Sequence, residues 1–176
     1  MMKTSAWTVR RLHVLDDTQI DDLAGVLIDC VDGGASVSFM RPLPHERAVA
    51  FWRSVAQAVA AGERALLIAA DAFGICGTVH LVLSQPENQP HRAELSKMLV
   101  HRRARRLFGC LQQCGSHALA PRACRKSLLV LDTASDEAER LYKRQGWMRV
   151  GVIPGYALLP EGGLCSTTLY YRNLSA

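Results

Sequence analysis

Between His101 and Cys110 the chain reads HRRARRLFGC, four arginines placed where the apolar run RAELSKMLV gives way to an expected helix. Cations beside a helix N-terminus suit a phosphate group, because the first amide N–H groups there lack partners and the macrodipole adds positive charge. A loop that cradles phosphate through its amides needs glycine, since a side chain blocks close approach or forbids positive φ. Here Leu107, Phe108 and Cys110 surround Gly109, so Arg102, Arg103, Arg105 and Arg106 would have to compensate with charge. A solvated basic surface is the plainer alternative. Further on, Cys110, Cys114, His117 and Cys124 carry metal-ligating groups, but their spacing fits no common zinc pattern and no metal is expected. His80 reads as a satisfied or exposed strand histidine, and His101 as an exposed one at the edge of the arginine loop. No Ser-His-Asp order, Walker loop or HExxH segment appears.

A second constellation lies in SDEAERLYKRQGW. Ala138 and Tyr142 share one helix face, Gly146 suits a left-handed cap past the last turn, and Trp147 opens the next strand. Read alone, Tyr142 would be an amphipathic core tyrosine.

The elements that must position these residues follow from composition and periodicity. A chain of 176 residues with 49% apolar content is long enough for one cored domain, here 1–176. Its 21 Lys+Arg against 16 Asp+Glu leave +5, which suits an anionic partner, either a phosphorylated cofactor or nucleic acid. Aromatics at 6% disfavour a base-stacking platform. The six cysteines are scattered, MMKTSAWTVR has no signal-like apolar core, and no run nears the ~20 apolar residues of a membrane span. These features suggest a soluble protein of the reducing cytoplasm.

AWTVRRLHVL reads as a strand. Helices follow in DDTQIDDLAGVLIDCV, capped by Asp17 or Thr18, and in HERAVAFWRSVAQAVAAG, where Val49, Trp52, Ala56 and Val59 share a face. RALLIAAD, GICGTVHLVLSQP and RAELSKMLV read as strands, with a helix from about Leu107 to Leu119 required by topology. KSLLVLDT is a buried strand, and SDEAERLYKRQG a helix. WMRVGVI, a PGY turn and TTLYYRNL close an order β-α-α-β-β-β-α-β-α-β-β. The class is α+β, mixed α/β.

In this setting SDEAERLYKRQGW resembles the second signature of the GCN5-related N-acetyltransferase (GNAT) superfamily, with Ser135, Ala138, Leu141, Tyr142, Gly146 and Trp147 fitting its pattern. The resemblance implies the acyl-CoA N-acyltransferase fold: a central, mostly antiparallel mixed sheet, splayed between its fourth and fifth strands and flanked by about four helices. It implies acetyl-CoA as donor, held by Met98, Leu99 and Val100 of KMLV and by Ser135. The family's pyrophosphate loop falls on Arg105, Arg106, Leu107, Phe108, Gly109 and Cys110, with its glycine positions altered. Tyr142 would protonate the departing thiolate.

Gly33–Met40 (GGASVSFM), RAELSKMLV, LVLDT and PGY narrow the likeness to the tabtoxin-resistance acetyltransferases. That likeness implies Glu94 and Asp132 as bases for the acceptor amine, which is mostly protonated at neutral pH. It places Gly33, Gly34, Ser36, Phe39, Met40 and Tyr156 around the acceptor, a small amine-bearing molecule such as a toxin or antibiotic. Asp132 could instead cap the following helix. The competing reading is a weakened or inactive member whose basic face binds an anion such as nucleic acid, which the lack of a helix-turn-helix or aromatic sheet disfavours. Monomer and homodimer both remain open.

Overall fold

The computed structural model describes residues 7–107, 111 and 126–174. The elements are β1 (Thr8–Leu12), α1 (Asp17–Asp32), α2 (His45–Ala60), β2 (Arg64–Asp71), β3 (Gly74–Val82), β4 (Arg92–Val100), a 3-10 segment (Arg102–Leu107), β5 (Leu128–Thr133), α3 (Asp136–Arg144), β6 (Met148–Leu158) and β7 (Leu164–Asn173). Among the described residues the expected order of the seven strands and of three of the about four expected helices holds. Of the expected helix 107–119, Leu107 and Leu111 are described; Phe108, Gly109, Cys110 and the Cys114, His117, Cys124 set lie outside the described residues.

The strands form one seven-stranded sheet in the order β1-β2-β3-β4-β5-β7-β6. Every neighbouring pair is antiparallel except β4 and β5. That parallel pair is registered only from Arg92↔Leu128 to Glu94↔Val130. Beyond Glu94 the two strands part, which is the expected splay.

Each sheet face has its own core. Leu23, Leu27 and Trp52 of α1 and α2 pack on Leu66, Ile68 and Leu99. On the other side Ala138, Tyr142 and Trp147 pack on Leu67, Leu95, Leu129 and Tyr170. Fully burying side chains such as Leu23 and Trp52 contributes roughly 1.5–3 kcal/mol each, before entropy is charged. Leu95 and Leu99 are four residues apart yet serve opposite faces, which period-two alternation forbids. The cause is a bulge: His80 faces Ser96 while Thr78 faces Leu99, and Lys97 takes φ +49°. One extra residue in β4 swaps the faces and turns the strand's second half over.

Local departures from expectation have local causes. Asp16, not Asp17 or Thr18, caps α1, because its carboxylate accepts from Gln19 N (2.8 Å) while the Gln19 side chain accepts from Asp16 N (3.3 Å). The buried face of α2 runs Ala48, Trp52, Val55 and Val59, one step round from the expected one, with Val49 and Ala56 half-buried. PGY is no turn between strands. Pro154–Tyr156 sits inside β6, where pairing is interrupted between Ile153 and Ala157 and Gly155 adopts φ +60°. β6 is an edge strand, so the missing N–H of Pro154 costs little. The true reversal follows Leu158, with Gly162 and Gly163 at positive φ.

Candidate active site

The splay opens into a cavity of about 640 Å³. Its walls are the α1–α2 loop, the second half of β4, the β5–α3 junction and the β6–β7 hairpin. Every residue from Leu95 to Val100 lines it, and on the β5 side that stretch has no strand partner among the described residues. Backbone polar groups in such a place need a hydrogen-bonding partner. An extended polar arm laid along Met98, Leu99 and Val100 would supply one, so this part of the cavity fits the pantetheine arm of acetyl-CoA.

At the β5–α3 junction, Ser135 caps α3 by accepting from Ala138 N (3.3 Å), and its own N–H donates to Thr133 Oγ1 (3.2 Å). Asp132 is therefore not the cap. It is exposed to the cavity and accepts from Thr167 Oγ1 (2.8 Å). Tyr142, one turn below Ala138, packs its ring on Trp147 (5.7 Å) and Tyr170 (5.8 Å). The residue is 4% exposed and still lines the cavity, and its hydroxyl makes no hydrogen bond among the described residues. Burial, reinforced by the Asp132 charge, drives its acidity well down, so it stays a protonated donor at neutral pH.

Glutamate 139 anchors the helix that carries Tyr142. Its carboxylate accepts from Thr168 Oγ1 (2.5 Å) and from the Tyr170 hydroxyl (2.8 Å). Nothing in the isolated sequence marked this clamp, because it joins α3 to a strand about thirty residues on.

On the acceptor side, Gly33, Gly34, Ser36, Phe39, Met40 and Tyr156 all line the cavity. The loop is fixed to the hairpin, since Ser36 Oγ donates to the Leu158 carbonyl (3.1 Å). Phe39 is held edge-on to Phe51 of α2 at 5.3 Å. Glu94 is half-buried on β4 in the paired part of the strand, and is not among the lining residues. Lys97, which nothing in the sequence pattern singles out, does line the cavity, and its Nζ donates to Ser38 Oγ (2.8 Å). Cys30 also reaches it, but burial pushes its thiol up to about 11, so it is no thiolate nucleophile.

The arginine segment departs most from expectation. Arg102 to Leu107 is a 3-10 segment kinked at Ala104 (φ −126°, ψ 20°). Arg102 is spent on Asp29, through its amide (2.8 Å) and its guanidinium. Arg103 turns to the β2–β3 turn, where it pairs with Asp71 (3.3 Å) and donates to the Ile75 carbonyl (3.1 Å). Neither supplies a free cation, which corrects the expectation that both would compensate for missing glycines. His101 is half-buried and 3.7 Å from Asp29. Arg105 lines the cavity and forms no ion pair among the described residues. His80 is neither exposed nor fully satisfied. Nε2 meets Arg64 (3.2 Å), Nδ1 has no partner among the described residues, and burial pulls its pKa down to about 3.

No family model matches the sequence. Solved structures do match along nearly the whole chain. A protein from Salmonella typhimurium, assigned as an acetyltransferase and solved with its cofactor acetyl-CoA, aligns with TM-score 0.74 and 17% identity, over 97% of this chain and 95% of that one. A ribosomal-protein-alanine N-acetyltransferase from Brucella melitensis aligns at 0.76 and 17%, over 95% and 99%. An acetyltransferase of the GNAT family from Streptococcus pneumoniae aligns at 0.71 and 17%, over 96% and 99%. At such identities the likeness speaks to architecture, and the chain has the fold of the GNAT acetyltransferases.

Proposed function

We propose that the chain, as one domain, is an acetyl-CoA-dependent N-acetyltransferase of the GNAT superfamily acting on a small amine in the cytoplasm. The observation that carries this is the splay after Glu94. It brings an unpaired strand edge, the Ser135-capped helix and the Tyr142 hydroxyl onto one cavity. Acetyl-CoA supplies an activated acetyl thioester there, and the solved neighbour with that cofactor agrees with it.

The residues have separable tasks. The main chain of Met98–Val100 holds the donor arm, and Arg105 with the amides near it attracts the phosphates. Ser36, Phe39, Met40 and Tyr156 place the acceptor, and holding both substrates in one geometry provides much of the rate. Asp132, directly or through water, takes the amine proton, with Glu94 behind it in the paired strand. Tyr142 delivers a proton to the leaving sulfur. A toxin or antibiotic of the kind handled by tabtoxin-resistance enzymes is the acceptor we favour.

Titration calorimetry with acetyl-CoA, followed by thiol release across a panel of small amines, tests the reading. Micromolar binding with acceptor-dependent thiol release supports it. No binding together with salt-sensitive binding of DNA would replace it with the anion-binding alternative.

A further inference from the structure

We propose that Lys97 is itself an acceptor in this cavity, its ε-amine taking the acetyl group of the thioester donor when no other amine is present. The inference rests on the donor reading above. It begins with the bulge. Without the extra residue, position 97 would continue the Ala93–Leu95 face toward α3. With φ +49°, the side chain instead runs to the α1–α2 side, where Nζ meets Ser38 Oγ at 2.8 Å. A lysine accepts left-handed backbone only at an energetic cost. The chain thus holds a primary amine in the cavity that Met98, Ser135, Tyr142 and Asp132 also line.

This amine differs from the chain's other lysines. Lys126 is buried and donates to the Leu83 (2.8 Å) and Pro90 (2.7 Å) carbonyls. Lys143 stands on the surface, 3.8 Å from Glu139. Lys3 lies outside the described residues. Lys97 forms no ion pair among the described residues. Around it stand Asp132 of β5, Glu94 of its own strand and Arg64 of β2. Burial outweighs the two carboxylates and Arg64 acts with it, so the ammonium gives up its proton more readily than an ordinary lysine.

The step balances simply. The ammonium loses a proton to Asp132 or water, and the Nζ lone pair forms a bond to the thioester carbonyl carbon. The carbon–sulfur bond breaks, the sulfur leaves with a proton from Tyr142 as free thiol, and the second nitrogen proton passes through water to restore the Tyr142 hydroxyl. The product is a neutral amide. It removes the cation that attracts Asp132 and Glu94, and it fills space beside Ser38. Self-acetylation would therefore change both the basicity and the room of the acceptor side.

The test uses the full chain with acetyl-CoA and no added amine, following acetylation of each lysine by peptide mass spectrometry over time. Lys97 should be labelled faster than Lys143, on the order of tenfold or more for a positioned amine. Excess coenzyme A should suppress labelling at Lys97 and not at Lys143, and the Lys97 rate should rise at lower pH than the Lys143 rate. Equal rates at both lysines, in a chain that calorimetry shows to bind acetyl-CoA, overturn the inference and leave the donor site standing. Undiminished Lys97 labelling in urea-unfolded chain marks simple chemical acetylation and overturns it as well. Absence of acetyl-CoA binding removes both readings together.

Discussion

The two ends of the cavity use different physics. At the α3 end, the features that matter are written within a dozen residues: Ser135 caps, Ala138 and Tyr142 face the sheet, and Gly146 leaves the helix with φ +79°. At the arginine end, four cations in five residues promise charge, yet Asp29 and Asp71 claim two of them from distant elements. A helix signature is local and survives folding. A charge cluster is only a supply, and the fold decides where it is spent.

The largest way to sharpen this contrast is Tyr142→Phe. The ring contacts with Trp147 and Tyr170 remain, so stability should hold while kcat falls about 100-fold, the lower part of the range for a positioned acid. Acetyl-CoA affinity, read by calorimetry, should not move. Unchanged kcat would take the hydroxyl out of the mechanism and reduce the α3 end to packing.

Gly77→Val probes the join between the arginine end and the sheet. A Cβ there would stand 2.5 Å from Leu111 Cδ1 and 3.3 Å from the Leu99 carbonyl oxygen. Leu111 is fully buried, so its side chain has little room to give. Overpacking of this kind costs about 1–3 kcal/mol, visible as a lower thermal midpoint. A midpoint equal to that of the parent chain would mean that Leu111 can move aside.

Arg105→Ala and Arg103→Ala divide the arginine cluster itself. Losing one charge-assisted contact to phosphate should weaken acetyl-CoA binding about tenfold at low salt in the first variant. The second should leave affinity unchanged, since Arg103 is held by Asp71 and the Ile75 carbonyl. Equal losses in both would mean that the ion pairs open when the donor binds.

These differences explain what could be read in advance. β2 and β4 were legible to the residue, because their apolar runs are bounded by Gly62–Glu63, a polar loop and the arginines. The PGY segment was misread because Pro-Gly normally signals reversal; an edge strand absorbs it as an irregularity instead. Lys97 could not be seen at all. A lysine in a strand reads as solvent-facing, and only the register of β3 against β4 reveals the added residue that redirects it. The expected pocket loop Gly33–Met40 does line the cavity, yet its hold on Leu158 depends on a contact across 122 positions.

The smallest expected effect tests whether the α3 end is positioned from outside its own signature. Glu139 is held below the usual carboxylate range, first by the Thr168 hydroxyl, against partial burial, and then by the Tyr170 hydroxyl and Lys143. The unfolded chain therefore binds this proton more readily than the folded one. The stability it contributes is complete above the ordinary glutamate range and drains away as pH falls through the lowered value. Glu139→Gln should cost about 1 kcal/mol near neutrality and flatten the acid side of a melting-temperature profile. Because α3 then sits less firmly against Tyr170, kcat should fall several-fold with little change in KM for the acceptor. A pH profile of stability identical to the parent's would show that the Thr168 and Tyr170 contacts carry no charge-dependent stabilisation, and Tyr142 would then owe its place to ring packing alone.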